Sequence, residues 1–223
     1  MNRYFAASIV TLVLFILIAL LVSPKLNFST NINNSPIIKP DLFAFLYLNN
    51  SHSQGFNQLM ILLTKFGREV FWPVAIILLF VFGGWTGKKT AVIIAVSMLI
   101  LVPLGVIAKD AVARPRPLIP RSDLLIAPDS DYAFPSGHAL IVSAGAAVAL
   151  MLFRGTFKRV SISLALALEA ALVCVSRVYV GGHYPLDVIG GILLGVGVSL
   201  ICVGVEKHIE SFIIPIKKKI LKR

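Results

Sequence analysis

Three short clusters of polar residues carry the chemistry this chain can do. They are Lys109 with Arg116 and Pro117, then Pro135, Ser136, Gly137 and His138, then Ser176 and Arg177 with His183 and Asp187. Together they hold three fixed cations, two imidazoles and one carboxylate, which suits the handling of a phosphate group. A phosphate ester near neutral pH carries up to two negative charges and presents oxygens that match the forked donors of arginine. Arg116 and Arg177 fit that role, with Lys109 as a mobile point charge. Ser136 and Gly137 stand just ahead of an apolar run, where a helix start offers backbone N–H groups to an anion, and Gly137 lets the backbone approach closely. The two histidines can divide the remaining work. A neutral imidazole can attack phosphorus while a protonated one gives its proton to the departing oxygen. Asp187 lies four residues after His183, so on a helix the two share a face and the carboxylate can fix the ring tautomer. Pro185 lies between them, which places the helix start nearby.

The rest of the chain must position these clusters, and its composition says how. Of 223 residues, 57% are hydrophobic and 14% charged, with a mean hydropathy of +0.89, outside the usual range of soluble globular proteins. Charges at bilayer depth cost several kcal/mol, about 2.5 to 3.5 on insertion scales, so they are kept for function or held at the edges. Apolar segments recur almost from end to end, which predicts a single membrane domain over 1–223 with its chemistry in 109–187. The net charge of +11 sits in short loops and the C-terminal tail, so membrane topology accounts for it and no nucleic-acid partner is expected. Cys174 and Cys202 fall within apolar runs and are expected to pack as small hydrophobes.

A helix needs about 20 apolar residues to cross the hydrocarbon core. The pattern predicts an all-α bundle of six transmembrane helices near residues 4–23, 70–86, 91–108, 138–153, 160–179 and 186–205. The first run is longer than a signal-peptide core and lacks a small-residue cleavage site, so it is expected to remain as a helix. Residues 24–69 begin rich in Asn, Ser and Pro and continue with Leu42, Phe43, Phe45, Leu46, Leu59, Ile61 and Leu62. They predict one or two amphipathic helices in the interface. Basic residues mark cytoplasmic loops. With Arg3 inside, Lys88, Lys89, Arg154, Lys158, Arg159 and the basic tail 217–223 fall inside too. Both termini are then cytoplasmic, and all three clusters emerge together on the extracytoplasmic side.

In the order Lys109-x6-Arg116-Pro117, Pro135-Ser136-Gly137-His138 and Ser176-Arg177-x5-His183-x3-Asp187, the clusters resemble the three-part signature of the type 2 phosphatidic acid phosphatase family, which is related to vanadium haloperoxidases. The resemblance implies that His183 is the nucleophile, Asp187 its orienting partner and His138 the general acid. It implies that Lys109, Arg116, Ser136, Gly137 and Arg177 hold the phosphoryl oxygens. The expected activity is metal-independent and cofactor-free hydrolysis of a lipid phosphomonoester or diphosphate, such as phosphatidate, phosphatidylglycerol phosphate or a polyprenyl diphosphate, through a phosphohistidine. A lipid-linked phosphotransferase would use the same residues, and a noncatalytic protein binding anionic lipid is the remaining alternative. Three convergent cations argue against a metal site on the His and Asp residues.

Other residues have more local readings. Glu169, deep in an apolar run, is expected to bond between helices. Gly190, Gly191, Gly195 and Gly197 are expected to allow close helix packing. His52 and His208 read as interfacial residues. Arg114 and Arg121 either touch a headgroup or second phosphate or sit in a solvated loop, and the tail 217–223 is expected to rest on anionic lipid.

Overall fold

The computed structural model describes residues 3–25, 36–119, 124–127 and 129–206. Arg121, His208 and the tail 217–223 lie outside the described residues, as do residues 26–35 of the expected interfacial segment. Among the described residues all regular structure is helical: α1 (Arg3–Val22), α2 (Ile38–Asn49), α3 (Gln54–Phe66), α4 (Trp72–Phe82), α5 (Gly84–Val112), α6 (Gly137–Leu152), α7 (Phe157–Tyr179) and α8 (Pro185–Gly204). A π-helical turn, Gly67–Phe71, joins α3 to α4 without a break, so residues 54–82 form one rod. Pro73, which has no N–H to offer the preceding turn, stands just past it.

The expected division between 70–86 and 91–108 is corrected. The chain turns at Gly83 and Gly84, where Gly84 has φ +64, a conformation that costs glycine little. Lys88 and Lys89 therefore ride on the first turns of α5 and not in a loop. The helix they begin runs for 29 residues.

At the centre lies α6, packed against α5, α7 and α8, while α1 runs along α8. Between helices in lipid the hydrophobic effect offers little, so close packing and interhelical hydrogen bonds carry the association. The glycines of α8 supply that closeness. A Cβ at Gly191 would lie 2.6 Å from the Ser136 carbonyl oxygen, and one at Gly195 would overlap that of Leu140. On the other side, Ser8 donates to the Gly197 carbonyl at 2.8 Å and pins α1. Trp72 is fully buried against Gly145 of α6 and donates its Nε1–H to Glu169 at 2.9 Å. Glu169 thus makes the expected bond between helices. Both cysteines are buried thiols.

The outer surface is apolar. Leu99 is 74% and Ile107 63% exposed, which is stable only against lipid. Among the described residues four helices, α1, α5, α7 and α8, are long and apolar enough to cross a membrane, and α6 is a shorter apolar helix. The chain is a multi-pass membrane protein built entirely from helices among its described residues.

Candidate active site

Four helix ends converge at one end of the bundle. The last turn of α5 carries Lys109, and Ala113 then takes the left-handed conformation, φ 54, that ends the helix. This turn sends Arg114 inward, where its carbonyl accepts from Ala133 N at 2.8 Å. Ser136 caps α6, its Oγ accepting from Ala139 N, and its own N–H donates to the Asp187 carbonyl at 2.9 Å, so the second cluster is tied to the third. After α7, Gly181 has φ +81, and the N–H groups of Gly182 and His183 turn back onto the Arg177 carbonyl. Asp187 closes the start of α8 by accepting from Tyr184 N at 2.9 Å.

His183 is 1% exposed. Its Nδ1 lies 3.7 Å from Asp187 Oδ2, too long for a hydrogen bond but close enough for the carboxylate to favour a proton on that nitrogen. Arg116 Nη1 approaches Nε2 at 3.3 Å, which suits an unprotonated Nε2 with its lone pair toward the pocket. Burial, followed by the charges of Arg177, Arg116 and Lys109, holds the imidazole well below the usual histidine range. That shift favours the neutral ring, the form in which an imidazole can attack.

Asp187 is itself held from behind. Its Oδ1 accepts from Arg114 Nη1 at 2.6 Å, and Arg114 Nη2 reaches Asp41 of α2 at 2.5 Å. Asp41 also accepts from Leu186 N at 2.8 Å, and the guanidinium lies 4.3 Å from the Tyr184 ring centroid. All three charged side chains are buried. Such a chain can persist only because each charge has partners.

The other cations meet two carboxylates on the segment before α6. Lys109 donates to Asp131 at 2.5 Å, and Arg116 pairs with the same side chain. Asp129 lies 3.0 Å from Arg116 and 2.8 Å from Arg177. Burial raises the Asp131 carboxyl, but hydrogen bonds from Lys109 and Arg116 outweigh it and bring it down to about 2. These groups border a cavity of about 500 Å³ lined by Arg68, Lys109, Arg116, Asp129, Ser130, Asp131, Gly137, His138 and His183. His138 hydrogen-bonds the backbone of Thr64 in α3, and Thr64 Oγ1 lies 2.8 Å from Ser176 Oγ.

All three sequence clusters thus meet in space, with two qualifications. Ser136 is fully buried as a helix cap, and Arg177 is buried behind Asp129, its Nε without a partner among the described residues. Neither lines the cavity. Arg114 corrects the sequence expectation of a contact to a headgroup or second phosphate, or of a solvated loop, because it is an internal bridge between two carboxylates. Sequence reasoning missed Asp41, Thr64, Arg68, Asp129 and Asp131. The one available signal was polarity inside the amphipathic stretch 38–69, where an aspartate and an arginine interrupt apolar residues.

The chain is also similar to known proteins in sequence and fold. The sequence model of the PAP2 superfamily matches residues 90–209. The chain is 38% identical over 164 residues to a protein of Sulfolobus acidocaldarius named undecaprenyl-diphosphatase, covering 73% of this chain and 76% of that one. It is 32% identical over 160 residues to sphingosine-1-phosphate phosphatase 1 of Mus musculus, covering 67% of this chain and 35% of that longer relative. The crystal structure of a transmembrane PAP2-type phosphatidylglycerolphosphate phosphatase from Bacillus subtilis superposes with a TM-score of 0.67, over 91% of this chain and 96% of that one, at 21% identity. That likeness shows a shared fold.

Proposed function

The chain belongs to the PAP2 superfamily and is a phosphoric ester hydrolase; on that premise we propose that it removes the terminal phosphate of a membrane-held lipid diphosphate through a phosphohistidine on His183. The observation that carries this reading is the pairing of His183 Nε2 with Arg116 on one side and the Asp187 carboxylate behind Nδ1 on the other. Nε2 attacks phosphorus, the bond to the leaving oxygen breaks, and its electron pair stays with that oxygen. His138 gives a proton where the leaving group needs one. Water then attacks phosphorus as His138 takes its proton, the N–P bond breaks with its electron pair returning to Nε2, and phosphate leaves with His183 restored. Lys109, Arg116 and Arg177, with the N–H groups of Gly137 and the α6 start, neutralise the oxygens in transit, once Asp129 and Asp131 are displaced. Ser136 acts by capping the helix that presents those groups. Three cations around the phosphate suit an anion and repel a dication, so the reaction needs no metal.

The choice of diphosphate follows the 38% identical relative named for such a substrate; phosphatidate-like monoesters are the second class the site can take. The spans are α1, the rod 54–82, α5, α6, α7 and α8, with α2 and the start of the rod in the interface. Lys88, Lys89, Arg154, Lys158 and Arg159 then lie at the cytoplasmic end, and the site opens on the extracytoplasmic face. A lipid headgroup can enter there while its chain stays in the bilayer.

Phosphate release by detergent-purified protein tests the reading, with a prenyl diphosphate as substrate and EDTA present. Activity should persist in the chelator, and His183→Ala should lose it by several orders of magnitude. Release by the variant, or abolition by EDTA alone, would overturn it.

A further inference from the structure

We propose that Arg68 binds the second phosphate of a diphosphate substrate, the one that departs with the lipid. This deepens the function proposed above and rests on it.

Arg68 lies outside the three sequence clusters, on the π-helical turn within the rod 54–82. Such turns displace a side chain from the regular helical register and are common at functional sites. Its guanidinium borders the same cavity as His183 and His138. Nη1 lies 3.4 Å from where a Cβ on Gly137 would stand, so the charge sits over the start of α6, beside His138. Arg116, by contrast, sits beside His183. Each of the two arginines therefore neighbours a different histidine of the cavity.

An in-line displacement at phosphorus places the attacking nitrogen and the leaving oxygen on opposite sides. With His183 attacking, the group beyond the leaving oxygen falls on the His138 side, within reach of Arg68. In a diphosphate that group is the lipid-linked phosphate. When the bridging P–O bond breaks, its electron pair goes to that phosphate and adds one negative charge there. A cation at that place stabilises the charge as it develops. In a monoester the same place is filled by the lipid carbon, and Arg68 has nothing to hold.

The charge balance points the same way. Lys109, Arg116 and Arg177 are matched by Asp129 and Asp131, and one phosphoryl group displacing those carboxylates would use all three cations. Arg68 pairs through Nε and Nη2 with the exposed carboxylate of its own neighbour, Glu69. An exposed pair of this kind adds little and is easily exchanged. Its Nη1 remains directed at the pocket.

The test compares two substrates with one tail, farnesyl diphosphate and farnesyl monophosphate, using the full chain in detergent. Arg68→Ala should lower kcat/KM for the diphosphate about 100-fold and for the monophosphate no more than about threefold, with Arg68→Lys recovering part of the diphosphate rate. Activity retained on the monophosphate shows that the variant is folded. Equal losses on both substrates, or no loss on the diphosphate, would overturn the assignment while leaving the phosphatase reading intact. Release from neither substrate by the unaltered protein would remove the phosphatase reading, and this inference with it.

Discussion

Two regions feed the site in different ways. The segment 109–187 supplies the groups that would touch the transferred phosphate, and the segment 38–71 supplies groups that stand behind or beside them. Asp41 fixes Arg114, which fixes Asp187; Thr64 holds the His138 ring; Arg68 shares the cavity. Reacting groups must keep strict spacing on helix ends, because a shift of one residue rotates a side chain by about 100°. Supporting groups need only arrive at the right place, from any part of the chain. The first kind leaves a pattern in sequence and the second does not.

Graded removal along the chain from nucleophile to α2 would break or sharpen this division. Asp187→Asn should lower kcat by about 10,000-fold, as loss of a histidine's carboxylate partner does elsewhere. Arg114→Gln should lower it by about 100-fold and Asp41→Asn by about tenfold, the range expected for groups acting through another. Farnesyl diphosphate turnover, read beside the thermal unfolding midpoint, measures the series. If Asp41→Asn proved as damaging as Asp187→Asn at unchanged stability, the boundary between the two regions would be misplaced.

A smaller effect concerns pH. Burial, and after it the cations beside His183, disfavour its imidazolium, so the ring should stay neutral below the usual histidine range and impose no loss of kcat/KM there. Removing one cation with Arg116→Gln reduces that repulsion. The pKa rises, and the acid limb of the normalised profile should move to higher pH. A limb that stayed in place, or moved down, would show that another group sets it. The smallest effect is on stability. Ala113 holds a left-handed conformation that costs a non-glycine residue about 1 kcal/mol, so Ala113→Gly should raise the unfolding midpoint by about 3 °C, with activity little changed. A lowered midpoint would mean that the methyl group, buried at this turn, contributes more than the strain removes.

Much of this was legible in the sequence. The runs expected at 138–153, 160–179 and 186–205 correspond to α6, α7 and α8 within a few residues, because apolar length and the serine, threonine or proline at each start leave little choice. The turn at Gly83 and Gly84 was less visible, since apolar residues continue on both sides and two lysines nearby imitate a loop. Arg114 and Asp41 are 73 residues apart, and nothing local to either announces a buried partner. Arg68 is masked by Glu69, whose opposite charge makes the pair look like ordinary helix surface.

Asp129 and Asp131 give the site a further property. Because carboxylates of the chain already rest on Lys109, Arg116 and Arg177, the arriving substrate does not meet a bare positive field. Its binding is an exchange of one set of anions for another, and the affinity measured is the difference between the two. Little net charge is then neutralised on association, so added salt, which weakens simple ion pairing, should act on incoming phosphate and resident carboxylate alike. The segment carrying those aspartates thereby sets a threshold. Anions that grip the cations no better than an acetate would are turned away, and a phosphate, with its greater charge and its additional oxygens, is let in.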